Sequence, residues 1–200
     1  AISSNDLPPS APQAALERAA ANPGHPGGRS PSNDLPPSAR QAALEMNRKA
    51  SELAERGRTA EAIALFERLQ DEYPNSTLAT QAGMTVARLT GERDPEAGIH
   101  GYLALVEAHP GDPLADDALL EAAVLLETLG FLDRASTHLE RIRVEYPDAN
   151  RTPEACYRLA SLLERLERPR EARKILEDLA ETHGGTEYGR RAAAALEESR

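Results

Sequence analysis

The side chains that could support acid–base, nucleophilic or metal chemistry are few and scattered along this chain. No two of the five histidines form the HExxH arrangement that binds zinc on a helix: His25, His100, His109, His138 and His183. The sequence contains neither a GxSxG motif, which would expose a nucleophilic serine, nor a glycine-rich phosphate loop after a strand. We therefore predict that the protein is not an enzyme and holds no cofactor and no metal.

The single cysteine, Cys156, excludes an internal disulfide bond. It falls in a column of apolar residues with Met46 and Leu119, so it is predicted to be a small buried hydrophobe. A reactive thiol would need a basic and exposed setting. His109 and His183 occupy equivalent turn positions, and a role in packing those turns is predicted for them.

The composition favours a helical protein whose partners are not nucleic acids. Ala, Leu, Glu and Arg dominate the 200 residues, and they are among the best helix formers. The net charge of −10 disfavours contact with a phosphate backbone. No apolar run approaches the roughly 20 residues that cross a bilayer, so membrane contact is predicted only indirectly, through a partner or a missing anchor. Acidic pairs such as Asp116 and Asp117 are predicted to lie on solvated helix faces.

Four segments of the chain can be superposed at a period of 36–37 residues. A column of small residues is followed four positions later by a column of large apolar ones, and a closing turn ends each unit: Ala62, Gly98, Ala135 and Ala172; Phe66, Tyr102, Leu139 and Leu176; Pro74, Pro110, Pro147 and Gly184. Such a unit buries its apolar face only by stacking on its neighbours. The period predicts an all-α solenoid of about four helical hairpins over residues 39–200.

Apolar steps of three, four and seven residues predict the two helices of each hairpin. The predicted pairs are 40–56 with 59–73, 79–91 with 95–109, 114–129 with 132–146, and 153–166 with 169–182, followed by a capping helix at 187–198. Gly57 and Gly130 are predicted to end first helices in the left-handed conformation. Asp94, Asp112 and Thr152, each before a proline, are predicted to be N-caps.

These columns resemble the tetratricopeptide repeat over about residues 40–185. In that family a small residue opens the packing in each helix and a proline closes the unit, as do Ala50, Ala62 and Pro74 in the first repeat. The residues added between repeats, such as Tyr73-Pro74-Asn75-Ser76, resemble the bacterial envelope-type subgroup of BamD and CpoB. The resemblance implies a non-catalytic scaffold in the periplasm or cell envelope, with the cytoplasm as the alternative.

Two repeats depart from the pattern. The second repeat carries Gly98 and Gly101 inside its second helix, where each glycine costs up to about 1 kcal/mol relative to alanine. That repeat is predicted to be either the softest one or a site of close helix approach. The fourth repeat has Glu167 in place of the turn glycine.

In this family the first helix of each pair lines a concave groove. The positions that the resemblance places there are Asn47, Arg48, Ser51, Met84, Leu120, Glu121, Val124, Tyr157, Arg158, Ser161 and Arg165. The middle of this set is apolar and its C-terminal end is basic and aromatic, which suits an extended or helical peptide with a hydrophobic centre. Arg158 and Arg165, seven residues apart, could also hold an acidic group. The alternative is that this face packs on a neighbouring domain or on the N-terminal segment.

Residues 1–38 are predicted to form a flexible Pro-rich linker, since they hold eight of the fifteen prolines. Within them the sequence from Ser4 to Glu17 recurs as Ser32 to Glu45, and only Pro12 and Arg40 differ. The end of each copy has the spacing of a capping box, Ser38 with Gln41 in the second.

Three interpretations of this duplication remain open. It could be a segmental duplication without a role, or a docking motif whose two copies raise avidity. The first copy could also compete for the groove site of the second copy, in cis or in a swapped dimer. The sequence therefore predicts a scaffold that binds a partner peptide or protein segment in the groove. The alternative is a structural module that forms homo-oligomers through its repeats or through the duplicated segment.

Overall fold

The computed structural model describes residues 35–74 and 76–198, and within them the chain forms helices joined by short turns. The helices are α1 Pro37–Glu55, α2 Thr59–Glu72, α3 Thr77–Gly91, α4 Pro95–Ala108, α5 Ala115–Thr128, α6 Leu132–Glu145, α7 Thr152–Arg165, α8 Pro169–Thr182 and α9 Glu187–Glu198. Each helix packs on the next along the series, which confirms the all-α solenoid of hairpins. Residues 1–34, with most of the predicted linker and the whole first copy of the duplicated segment, lie outside the described residues.

The helix bounds agree with the predicted ones to within three residues, because the small residues that set the repeat lie at the same place in each hairpin, in the first turn of the second helix. Ala62, Ala135 and Ala172 are fully buried at equivalent positions of three second helices. A side chain of this size lets the two helices of a hairpin approach closely, so its spacing along the chain reports where the helices cross.

The turns inside the first, third and fourth hairpins share one left-handed residue. Gly57 has φ +74° and Gly130 has φ +82°, as predicted, and Glu167 has φ +59° in the fourth hairpin. In each turn the following backbone N–H donates to a carbonyl five residues earlier, at 2.8–2.9 Å, which closes the first helix in a Schellman motif. The second hairpin has no left-handed residue there, and Asp94 instead caps α4 by accepting from the Ala97 N–H at 3.1 Å.

Three predicted N-caps are wrong, because Asp112 and Thr152 bond elsewhere in the turns between repeats and Ser38 lies beyond the start of its helix. The Asp112 carboxylate accepts hydrogen bonds from the Leu114 N–H at 2.9 Å and the Thr80 hydroxyl at 2.8 Å, so α5 begins only at Ala115. Thr152 is itself the first residue of α7, and its hydroxyl donates to the Tyr146 carbonyl. Ser38 lies inside α1, which begins at Pro37. Ser76, which was not predicted, caps α3 through the Ala79 N–H.

The second repeat is a site of close helix approach. A Cβ added to Gly98 on α4 would lie 2.5 Å from the Cα of Gly91 on α3, well inside any tolerable contact. A Cβ on Gly101 would lie 3.0 Å from the Ala87 Cβ. The glycines therefore let α3 and α4 touch backbone to backbone, which confirms the predicted close approach; that this repeat is the softest stays a prediction.

The buried side chains form two clusters that meet on α3. The smaller cluster joins α1, α2 and α3 through Phe66, Leu69 and Leu89. The larger one runs from Ala87 to Ala192, through every helix from α3 to α9. Cys156 lies in the larger cluster as predicted, and burial raises the pKa of its thiol to about 11.

Asp116 is not on a solvated face as predicted, because it is 2% exposed at the start of α5. Burial, and next the neighbouring Asp117, raises the pKa of its carboxyl above the ordinary value. The Arg151 N–H donates to this carboxylate at 3.4 Å, and the Arg151 Nε donates to Asp117 at 2.6 Å. The acidic pair thus ties the start of α5 to the turn before α7.

Candidate functional site

The candidate site is the face formed by the first helices α1, α3, α5 and α7, called here the first-helix face. Two arginines of α7 contact the same acid on α5 across this face: Arg165 lies 2.6 Å and Arg158 3.7 Å from the Glu127 carboxylate. At the other end of the face, α1 also contacts α3. First helices of successive repeats are therefore neighbours at both ends of the face, α1 with α3 and α5 with α7.

The polar side chains on the α1 portion of the face form their ion pairs and hydrogen bonds within α1 itself. Arg48 is exposed and pairs with Glu45 and Glu52, one turn away on either side. The Ser51 hydroxyl donates to the Asn47 carbonyl at 3.0 Å, and both residues are half-buried. None of these residues contacts another first helix through a described hydrogen bond or ion pair.

The middle of the face offers less apolar surface than predicted. Leu120 is 3% exposed and packs in the larger cluster, so it supports the face from beneath and does not line it. The reason is that α5 is an interior helix, packed between α4 and α6. Met84 and Val124 are partly exposed, and Glu121 is exposed.

The C-terminal end of the face carries a network of ion pairs on α5 and α7. Arg158 Nε donates to Glu154 Oε1 at 3.1 Å, and Arg165, which is 48% exposed, pairs with Glu127. The sequence allowed Arg158 and Arg165 to hold an acidic group. The acidic group that both contact is the carboxylate of Glu127 in the same chain. Partly exposed pairs of this kind contribute about 0–1 kcal/mol each, so their main effect is to position the arginines.

An aromatic and cationic cluster adjoins this network where α7 meets α9. The Tyr157 and Tyr188 ring centroids are 5.8 Å apart at an interplanar angle of 44°. The Arg191 guanidinium lies over both rings, 4.5 Å from the Tyr157 centroid and 5.4 Å from the Tyr188 centroid, in cation–π geometry. Sequence reasoning missed Tyr188 and Arg191 because it assigned α9 only a capping role. A tyrosine and an arginine three residues apart on the capping helix were the available signal.

Among the described residues no group of three or more His, Cys, Asp or Glu side chains is arranged to hold a metal ion. No helix in the described part of the chain is long and apolar enough to cross a membrane. At its C-terminal end the first-helix face carries Tyr157, Arg158 and Arg165, and tyrosine and arginine are enriched in protein interfaces.

Comparison with known proteins agrees with the repeat pattern. A family model described as tetratricopeptide repeat matches residues 45–76 and 154–186, within the first and fourth hairpins. No curated protein matches the chain.

Solved structures with the same fold come from several organisms. A tetratricopeptide repeat protein from Parabacteroides merdae is 18% identical with a TM-score of 0.60, over 78% of this chain and 59% of its own. The nearly identical TPR-like repeats of a putative kinesin light chain from Podosopora anserina are 14% identical with a TM-score of 0.55, over 78% of this chain and 83% of theirs. The fragment of MamA from Desulfovibrio magneticus that begins at residue 41 is 14% identical with a TM-score of 0.53, over 72% of this chain and 77% of its own.

At these identities the neighbours show the fold alone, and this chain spans 59% of the length of the Parabacteroides protein. The resemblance to the BamD and CpoB subgroup stays a prediction. The repeat period, the paired helices, the family match and the shared fold agree with one another: residues 45–76 and 154–186 match the tetratricopeptide repeat, and the chain has the fold of tetratricopeptide repeat proteins.

Proposed function

We propose that this protein is a non-catalytic scaffold that holds a segment of a partner protein along the first-helix face. The observation that carries the proposal lies at the C-terminal end of that face, where Arg191 of α9 lies over the Tyr157 ring and Arg165 of the same helix α7 pairs with Glu127. Tyrosine and arginine are the side chains most enriched where proteins bind one another.

The geometry favours a partner segment that contacts this end of the face first. Ser161 is exposed between Arg158 and Arg165 on α7 and offers a hydroxyl to a peptide backbone. The two arginines already contact Glu127, so a partner carboxylate must share them with Glu127 or displace it. We expect such an exchange to give specificity for the partner and little net affinity.

We further propose that the partner belongs to a bacterial envelope or regulatory complex. The support is the resemblance of the inter-repeat turns to those of the envelope subgroup. The periplasm or cell envelope is therefore the compartment in which we expect the complex, and the cytoplasm is the alternative.

The test is capture of partners by the full chain and by variants of the face. Tyr157→Ala and Arg158→Glu are each expected to lose a partner that the unaltered chain captures from an envelope extract, while circular dichroism shows that the fold is retained. The matched control is Arg68→Glu on α2, which removes an exposed arginine whose ion pair is confined to its own helix. Equal capture by all four proteins would show that the first-helix face is not the binding surface. Capture from a cytosolic extract alone would contradict the envelope setting.

A further inference from the structure

The N-terminal half of α1 leaves apolar surface uncovered. Of its 19 residues only Ala43 and Ala50 are buried, and Leu44 is 50% exposed, more than any other large apolar side chain of the described residues. Leu44 lies in an open hollow with Leu35 and Arg40. A stack of repeats needs cover at both ends, and at the C-terminal end α9 packs on α8 and α7.

This hollow is built from the second copy of the duplicated segment. Leu35, Arg40 and Leu44 all lie between Ser32 and Glu45. The first copy, Ser4 to Glu17, carries the same apolar side chains, with Leu16 at the place of Leu44. Two copies of one apolar stripe can cover each other, as self-complementary patches do across a two-fold axis.

The one difference between the copies favours their association. Arg40 of the hollow has no ion-pair partner in residues 35–74 and 76–198. The first copy has Pro12 at that position, so docking does not bring a second arginine to the hollow. It does bring the carboxylates of Asp6 and Glu17 to a surface that carries the Arg40 guanidinium.

The length of chain between the copies favours association within one molecule. Residues 18–31 separate them, and linkers of this length have an average end-to-end distance of about 20 Å. That distance exceeds the diameter of about 10 Å of a helix, so the first copy can reach the hollow from the start of α1. A short tether of this kind gives an effective concentration on the order of millimolar, well above that of a second molecule in solution.

We propose that the segment Ser4 to Glu17 docks on the N-terminal half of α1 in the same molecule, with Leu16 against Leu44. It supplies the N-terminal cover that the described solenoid lacks. Arg48 lines both this hollow and the first-helix face, so the docked segment reaches the α1 end of that face and leaves the α7 end open. The inference does not depend on the partner proposed above, because the docking is measured within the chain.

Cross-linking in the full chain tests the contact. The pair Leu16→Cys and Leu44→Cys is expected to form an intramolecular disulfide under mild oxidation, since that bond requires Cα atoms within about 7 Å. The control pair is Leu16→Cys with Leu129→Cys, which is 39% exposed on the turn after α5. Cys156 is buried and stays in place, and mass spectrometry identifies the linked peptides. Equal yields from the two pairs would overturn the proposal.

A labelling rate gives a second and independent measurement. In the full chain, Leu44→Cys is expected to react with a maleimide about tenfold more slowly than the same variant that also carries Leu16→Asp, because a docked population of about 90% shields the thiol. Both changes are at exposed or undescribed positions, so the solenoid is retained. Equal labelling rates would overturn the proposal. Cross-links formed only between molecules, together with a dimer in light scattering, would overturn it in favour of a second copy of the chain.

Discussion

The first hairpin and the fourth hairpin of this solenoid are built on the same repeat, but their outer sides are covered to different extents. At the N-terminal end α1 buries two of its 19 residues, whereas α7 buries eight of 14. Beyond the fourth hairpin, α9 packs on α8 and α7, and the Tyr157, Tyr188 and Arg191 cluster links α9 to α7. In the described residues nothing comparable covers the outer side of α1.

The difference teaches that the stability of a repeat comes mainly from what lies beside it. An interior or capped repeat has an apolar surface on both sides, and burial of that surface is the dominant favourable term in folding. We therefore expect hydrogen exchange to protect α7 and α8 more than the N-terminal half of α1. Changes at Gly189 and Glu167 test that comparison, and the titration of His138 in the third hairpin gives the smallest expected effect.

Gly189→Ala is expected to remove the greater stability of the C-terminal end over the N-terminal end. A Cβ at this position on α9 would lie 2.0 Å from the His183 carbonyl oxygen, so α9 must move away from the turn before it. Overpacking against backbone costs about 3 kcal/mol, and we expect a loss of that order in the free energy of unfolding by urea. Hydrogen exchange in α7 and α8 should rise toward that of α1.

The control for this change is Gly185→Ala in the same turn, where an added Cβ meets nothing within 4 Å. We expect it to alter the free energy of unfolding by less than about 0.5 kcal/mol. If the two alanine variants were equally stable, α9 would not be the source of the difference between the ends.

Glu167→Gly is expected to stabilise the fourth hairpin and so to increase the difference in stability between the two ends. Glu167 has φ +59°, a left-handed conformation that costs a residue with a Cβ about 1–2 kcal/mol and costs glycine almost nothing. We expect thermal or urea unfolding to show a gain of about 1 kcal/mol, with the added protection in α7 and α8. The reverse change in the third hairpin, Gly130→Ala at φ +82°, should lose a similar amount. A destabilised Glu167→Gly protein would contradict the argument from backbone strain.

His138 on α6 gives the smallest expected effect, a dependence of stability on pH. Burial first, and then the charges of Arg141 and Arg134, lower the pKa of this imidazole, and its Nδ1 has no hydrogen-bond partner in the described structure. Because the folded pKa lies below the unfolded value of about 6.5, the contribution of neutral His138 is complete above that pH. It is lost as the pH falls from about 6.5 through the folded pKa.

Measurement of this effect requires unfolding curves at several pH values between about 7 and 5. Other groups titrate over the same range, so the informative quantity is the difference between the unaltered chain and His138→Leu. The unaltered chain should lose more stability on acidification than the leucine variant. Parallel pH profiles would show that His138 does not titrate differently in the folded and unfolded states.

The success of the helix prediction and the failure of the caps predicted at Asp112 and Thr152 have one explanation. Helix bounds follow from apolar spacing, which is local and recurs in every repeat. A cap depends on which partner a short polar side chain finds, and Asp112 finds the Thr80 hydroxyl 32 residues away. Thr152 similarly bonds the Tyr146 carbonyl, so neither residue is available to cap the helix that follows.

In the candidate site, too, the sequence predicted which residues share a helix face but not which distant residues they contact. The family pattern brought Arg158 and Arg165 to one face, but it did not reveal that Glu127, on a different repeat, contacts both of them. The family pattern placed Leu120 in the lining of the groove because a pattern in the sequence does not show how much of α5 is buried by α4 and α6. The assignment of the linker and of the groove as a binding surface remains a prediction.

The sequence by itself determined the repeat length, the order of helices and the residues on which the hairpins close, because periodic burial and turn conformation are properties of neighbouring residues. Only the tertiary structure decided that Gly91 and Gly98 let α3 and α4 touch, that Glu127 contacts both Arg158 and Arg165, and that the described residues leave Leu44 of α1 exposed. Those features depend on the distance between segments far apart in the chain. That distance is set by the packing of whole helices, which no single column of residues encodes.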